Sequence, residues 1–182
     1  DLSLRQTKGP RAQVKEETHM KRLPKGTLIA GFPGIGKTTA SAHPRVLDLE
    51  SSEYLFELPD RPLTRLEIES YWKGCPDRVP VPNGHELYAE AAKAALNSGD
   101  YDYVLISVSP QVLDAMHADG LNPVRVGPVD GLEDEYYERY RGRGNTEEWA
   151  RSTVGVFRFL KDWTDKDVRL GAGEYLSDIL EL

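Results

Sequence analysis

One stretch of this chain, Gly31-Phe32-Pro33-Gly34-Ile35-Gly36-Lys37-Thr38-Thr39, limits its fold more than any other. It matches the pattern G-x-x-x-x-G-K-S/T in full, follows the apolar run Thr27-Leu28-Ile29-Ala30, and opens a helical pattern. Glycines let backbone amides turn inward on phosphate oxygens, and a helix N-terminus adds positive partial charge. Lys37 has the reach for β and γ phosphates, and the Thr38 hydroxyl suits a Mg2+ ion. Residues Gly31 through Thr39 are therefore the expected nucleotide-binding set, with Lys37 also a candidate catalytic group.

Strands are expected at 27–30, 45–49, 103–106, 124–126 and 168–170, where short apolar runs are bounded by turn residues. The helix after the glycine loop must be short and end by Pro44. Residues 60–72 read as partly helical and 74–84, with Pro76, Pro80 and Pro82, as a loop. Asn83 and Glu86 have capping-box spacing for a helix that Gly99 closes, and Ser109-Pro110 supplies an N-cap and first-turn proline for one ending at Gly120. Asp130 and Glu133 open a helix to about Arg143, Asn145 and Glu148 cap the next, and 174–180 forms a last one. Alternating strands and helices imply an α/β fold: a mostly parallel five-stranded sheet with helices on both faces.

The 182 residues, 39% hydrophobic and 29% charged, suit one domain with a real core. No run approaches the ~20 apolar residues of a membrane span, so a membrane role is not expected. The single cysteine, Cys75, fits a reducing compartment and makes the cytoplasm the expected location. A net charge of -7 argues against holding duplex nucleic acid by bulk electrostatics. Residues 1–19 carry four basic and three acidic side chains and no apolar signal core, and read as an expression tag or a basic arm. Residues 20–182 form the expected working domain.

Asp48-Leu49-Glu50-Ser51-Ser52 follows the second strand, at the carboxyl edge where ligands of open α/β sheets collect. Asp48 either joins a Mg2+ shell or accepts a proton from an attacking hydroxyl. Ser51 and Ser52 either bind substrate phosphate or cap a helix. The third strand passes through Ser107 to Ser109 without a terminal carboxylate, which counts against a motor ATPase. Arg139, Arg141 and Arg143 lie near the end of a helix, with Arg139 and Arg143 four apart on one face. Such a pair can clamp phosphates as a lid, or merely pair with Glu133, Asp134, Glu135 and Glu138. Tyr71, Trp72 and Tyr88 could stack on a base; His43, His85 and His117 have no metal spacing.

The order of these motifs resembles a family of small P-loop nucleotide kinase-like proteins common in bacteriophage genomes, related in fold to nucleoside monophosphate kinases. The likeness runs from about Lys25 to Leu182. It rests on the Gly31 to Thr38 loop, Val46-Leu47-Asp48-Leu49-Glu50-Ser51-Ser52, the serine-ended strand before Ser109, Glu138-Arg139-Tyr140-Arg141-Gly142-Arg143-Gly144-Asn145, and Gly173-Glu174-Tyr175-Leu176-Ser177-Asp178. The family often carries Asp-Ser-Asp-Ser-Ser where this chain has Asp48 to Ser52, so Asp48 and Glu50 carry over and one hydroxyl is lost. The resemblance implies a three-layer P-loop NTPase fold with an arginine-bearing lid helix, and ATP- and Mg2+-dependent phosphoryl transfer to a nucleotide.

The expected catalytic residues are Lys37, Asp48, Arg139 and Arg143. Arg141 joins the nucleotide-binding set, and Thr38 and Asp48 take the metal. Glu50, Ser51, Ser52, Trp72 and Tyr88 form the acceptor site. The leading expectation is a (deoxy)nucleoside monophosphate kinase acting on a free nucleotide, as a monomer or homodimer. Two alternatives are a kinase of a hydroxyl on a nucleoside, modified base or polynucleotide, and a slow ATP-hydrolysing regulatory module.

Overall fold

The computed structural model describes residues 22–57 and 78–182. The suspected tag or arm, Tyr71, Trp72, Cys75 and the expected helix at 60–72 lie outside the described residues.

Five strands form one sheet: β1 (Thr27–Gly31), β2 (Val46–Asp48), β3 (Tyr103–Ser107), β4 (Val124–Pro128) and β5 (Val168–Leu170). Their order is β2-β3-β1-β4-β5 and every pairing is parallel. The helices are α1 (Lys37–Ala40), α2 (Ser52–Leu55), α3 (Gly84–Asn97), α4 (Pro110–Ala118), α5 (Glu133–Gly142) and α6 (Glu147–Gly155), followed by 3-10 segments at Val156–Asp162 and Leu176–Ile179.

The sheet is apolar on both faces because both are covered. Leu28, Ala30, Val104 and Ile106 pack with Tyr88, Ala89 and Ala92 of α3 and Val112 and Met116 of α4. The alternate residues Ile29, Tyr103 and Leu105 face Tyr136 and Tyr140 of α5, Ala150 of α6, and Leu176 and Ile179 near the C-terminus. Burying one such Leu or Ile is worth about 1.5–3 kcal/mol, more than the ~1 kcal/mol range of strand propensities, so coverage sets these strands. No helix among the described residues is long and apolar enough to cross a membrane.

Several local expectations need correction. Asn83 stands at the N-cap of α3 but its side chain caps nothing, and neither does Ser109 at α4. The cap of α6 is Thr146, whose hydroxyl accepts from the Trp149 amide at 3.2 Å, rather than Asn145. Asn145 is already committed to the end of α5: its amide donates to Tyr140 O and that of Gly144 to Arg141 O, with Gly144 at φ +83°. This is the left-handed glycine stop of a Schellman motif, and it leaves the next residue to start the following helix. The expected helix at 174–180 is a single 3-10 turn, because Leu176 donates to Ile35 O and Leu180 bridges in parallel to Leu23. The helix after the glycine loop stops at Ala40, earlier than Pro44 required.

Candidate functional site

A parallel sheet brings the carboxyl ends of its strands to one edge. Gly31 of β1 is in register with Ser107 of β3, and Asp48 of β2 with Leu105, so the loop after β1, the Asp48 segment and Ser107 meet there. A pocket of about 220 Å3 opens at this edge. Pro33, Gly34, Lys37 and Thr38 form one wall and Asp48, Leu49, Glu50 and Ser51 another. Ser107 also borders it, and Tyr140, Arg143 and Trp149 complete the lining.

The glycine loop presents backbone rather than side chains. Phe32 and Ile35 are buried in the core, with Phe32 edge-on to Tyr136 and Phe157. Gly34 and Gly36 adopt φ of +87° and +94°, which L side chains rarely tolerate. The amides of Gly34, Gly36, Lys37, Thr38 and Thr39 have no hydrogen-bond acceptor among the described residues. With α1 only four residues long, these amides and Lys37, rather than a long helix dipole, are the groups available to an anion. Lys37 Nζ donates to Gly31 O at 3.3 Å, folding the side chain back over the loop. Thr39 is exposed and is not among the lining residues.

Burial pulls the Lys37 ammonium below the ordinary lysine range, opposed by the carboxylates of Asp48 and Glu50. Burial pushes the Asp48 carboxyl above the usual carboxylate range, with Lys37 pulling it back and Glu50 adding to the rise. Among the described residues no group of three or more His, Cys, Asp or Glu could hold a metal. The oxygens present, the Thr38 hydroxyl and the Asp48 carboxylate, suit a Mg2+ ion that arrives with phosphates and keeps several waters. Taken with the loop's unbonded amides, they fit a magnesium-bound polyphosphate.

The two arginines expected on one helix face part company because α5 ends at Gly142, leaving Arg143 as its C-cap. Arg143 reaches the pocket, with Nη2 3.5 Å from Thr38 Oγ1. Arg139 is not among the lining residues: it donates to Gly34 O at 3.0 Å and Glu174 O at 3.1 Å, and pairs with Glu135. Arg141 donates to Asn145 O in the turn after α5.

Tyr88 cannot stack on a base. It is fully buried, donates to Leu49 O at 2.8 Å and accepts from the Ser107 amide at 3.2 Å, tying the ends of β2 and β3 together. Ser52 is also buried; its hydroxyl and amide go to Glu50 Oε1, at 3.1 and 3.4 Å, so of the two serines only Ser51 lines the pocket. Trp72 lies outside the described residues. Tyr140 and Trp149, packed edge-on at 5.1 Å, were not singled out for this site. The signal in the sequence for Tyr140 is its place between Arg139 and Arg141. Comparison with protein-family models and with curated proteins finds no match to this chain.

Proposed function

We propose that the chain transfers the γ-phosphoryl group of ATP to a nucleotide, in the first instance a (deoxy)nucleoside monophosphate, as the bacteriophage kinase-like proteins it resembles imply. The observation that carries this reading is the convergence of Lys37, Thr38, Asp48 and Arg143 on one pocket beside a loop with unbonded amides. In the reaction an acceptor phosphate oxygen forms a bond to the γ-phosphorus as the bond to the β–γ bridging oxygen breaks, releasing ADP. Lys37 would meet the β and γ oxygens, and Arg143 would offset charge on the moving phosphoryl. Thr38 and Asp48 would hold Mg2+, which supplies further charge neutralisation. Glu50 and Ser51, which line the pocket beside Asp48, would meet the acceptor.

A second reading is favoured by the place of Asp48, which ends β2 and lines the same pocket as Lys37 and Thr38. There the acceptor is a hydroxyl, and its proton passes to Asp48 as the phosphorus–oxygen bond forms. The reaction would take place in a reducing cytoplasm, by a monomer or homodimer. Incubation with Mg2+ and γ-labelled ATP against ribo- and deoxynucleoside monophosphates, nucleosides and DNA separates the readings. Label on monophosphates alone supports the first and label on a hydroxyl the second. Release of labelled phosphate that no acceptor stimulates rejects both in favour of a slow ATPase.

A further inference from the structure

Three consecutive carbonyls of the glycine loop accept hydrogen bonds from distant parts of the chain, two of them from residues that do not line the pocket. Pro33 O accepts from the Tyr140 hydroxyl at 2.8 Å, Gly34 O from Arg139 Nη1 at 3.0 Å, and Ile35 O from the Leu176 amide at 2.8 Å. In a planar trans peptide the N–H points opposite to the carbonyl it adjoins. Drawing these three carbonyls away therefore turns the amides of Gly34, Ile35 and Gly36 the other way, and those of Gly34 and Gly36 have no acceptor among the described residues. It also engages the negative ends of the Gly34 and Ile35 peptide dipoles with partners that do not line the pocket.

Arg139 is the centre of this arrangement. Its side chain is 9% exposed and its guanidinium lies over the rings of Tyr136 and Tyr175, at 4.6 and 4.0 Å. Its second amino group joins Glu174 O and Glu135, and Glu135 accepts from the Gly173 amide at 3.0 Å. Tyr175 in turn leaves no slack against the loop: a Cβ on Gly36 would stand 3.1 Å from its ring, and one on Gly34 would stand 2.7 Å from that of Tyr140. Helix α5 and the turn before the last 3-10 segment are thus locked together on the outer side of the loop.

We infer that Arg139 and Tyr140 are positioning residues that brace the glycine loop through the carbonyls of Gly34 and Pro33, so that its amides face a bound polyphosphate; Arg139 does so without lining the pocket. The inference rests on the proposed nucleotide binding for its purpose, but the brace itself has a test in the nucleotide-free protein. Hydrogen exchange is followed at the Leu176 amide, whose acceptor is Ile35 O, relative to the Leu105 amide in the sheet, for wild type, Arg139→Ala, Arg139→Lys and Tyr140→Phe. A brace gives selective acceleration at Leu176, about tenfold or more for Arg139→Ala, less for Tyr140→Phe, with Lys a poor substitute because it lacks the planar fork. Uniform acceleration at both amides, or none at Leu176, overturns it.

ATP·Mg2+ affinity is then measured by titration. The brace predicts about tenfold weaker binding by Arg139→Ala, recovered in part by added guanidinium ion, with the acceptor KM unchanged. Selective exchange without any loss of ATP affinity would overturn the claim that the brace orients the amides for phosphate. Failure of the wild type itself to bind ATP would instead reject the proposed function, and the exchange data would still decide whether the brace exists.

Discussion

Replacing Tyr88 by Phe separates a structural strut from a base-stacking residue. The ring and its burial against β1, β3 and α4 survive; only the hydroxyl that joins Leu49 O and the Ser107 amide is lost. Two hydrogen bonds at about 1 kcal/mol each, plus the cost of leaving two backbone groups without a partner, would reach roughly 2–4 kcal/mol in a dry site. Leu49 and Ser107 are half-buried and border the pocket, so water can reach them and about 1.5–3 kcal/mol is the expected loss. For a chain of this length that lowers Tm by about 4–10 °C, read by circular dichroism during heating. ATP-dependent transfer should weaken as well, because the strut sets the spacing between Asp48 and Ser107. A stacking role predicts the reverse, since Phe stacks as well as Tyr. A Tm within about 1 °C of wild type would refute the strut.

Further outcomes follow from the same geometry. Asp48→Asn should cost about 10² to 10⁴ in rate if the acceptor is a hydroxyl, and far less if it is a phosphate, measured with whichever acceptor takes label. Arg143→Ala should lower the transfer rate about 10²-fold or more, whereas a loss below about threefold would show that Arg143 only borders the pocket. At the opposite end of the sheet, hydrogen bonds from Arg45 at 2.8 Å and Lys25 at 3.0 Å hold the Asp102 carboxyl down to about 2. The stability this gives is present above the unfolded value of about 3.9 and is lost as pH falls toward 2. Denaturant titrations should therefore show wild type and Asp102→Asn converging as the pH drops from about 4 to 2, and parallel curves would contradict the linkage.

The features legible in the sequence are those set by short-range chemistry or by period. The spacing of Gly31 to Thr38 stands out because glycines and a lysine at fixed offsets have few other uses, and β1 and β3 show as apolar runs that need cover on both faces. What the sequence hides depends on partners far along the chain. Asn145 has the better capping chemistry, but its amide is taken by Tyr140 O, so Thr146 caps α6. Residues 174–180 have helical composition, but the Leu176 amide serves Ile35, 141 positions earlier in numbering. Arg139 and Arg143 look equivalent at helical spacing until the helix ends between them, sending one to the outside of the loop and the other to the pocket. Tyr88 likewise shows an aromatic ring near a loop, and only the tertiary packing gives its hydroxyl two backbone partners.

The central claim is that the glycine loop and Lys37 bind a nucleoside triphosphate. It is tested most directly by isothermal titration of ATP·Mg2+ into wild type and Lys37→Ala, with folding of both checked by thermal melting. The expected result is saturable one-site binding by wild type, weakened about tenfold or more in Lys37→Ala through loss of a charged contact to phosphate. No binding by a folded wild type, or equal affinity in the two proteins, would contradict it.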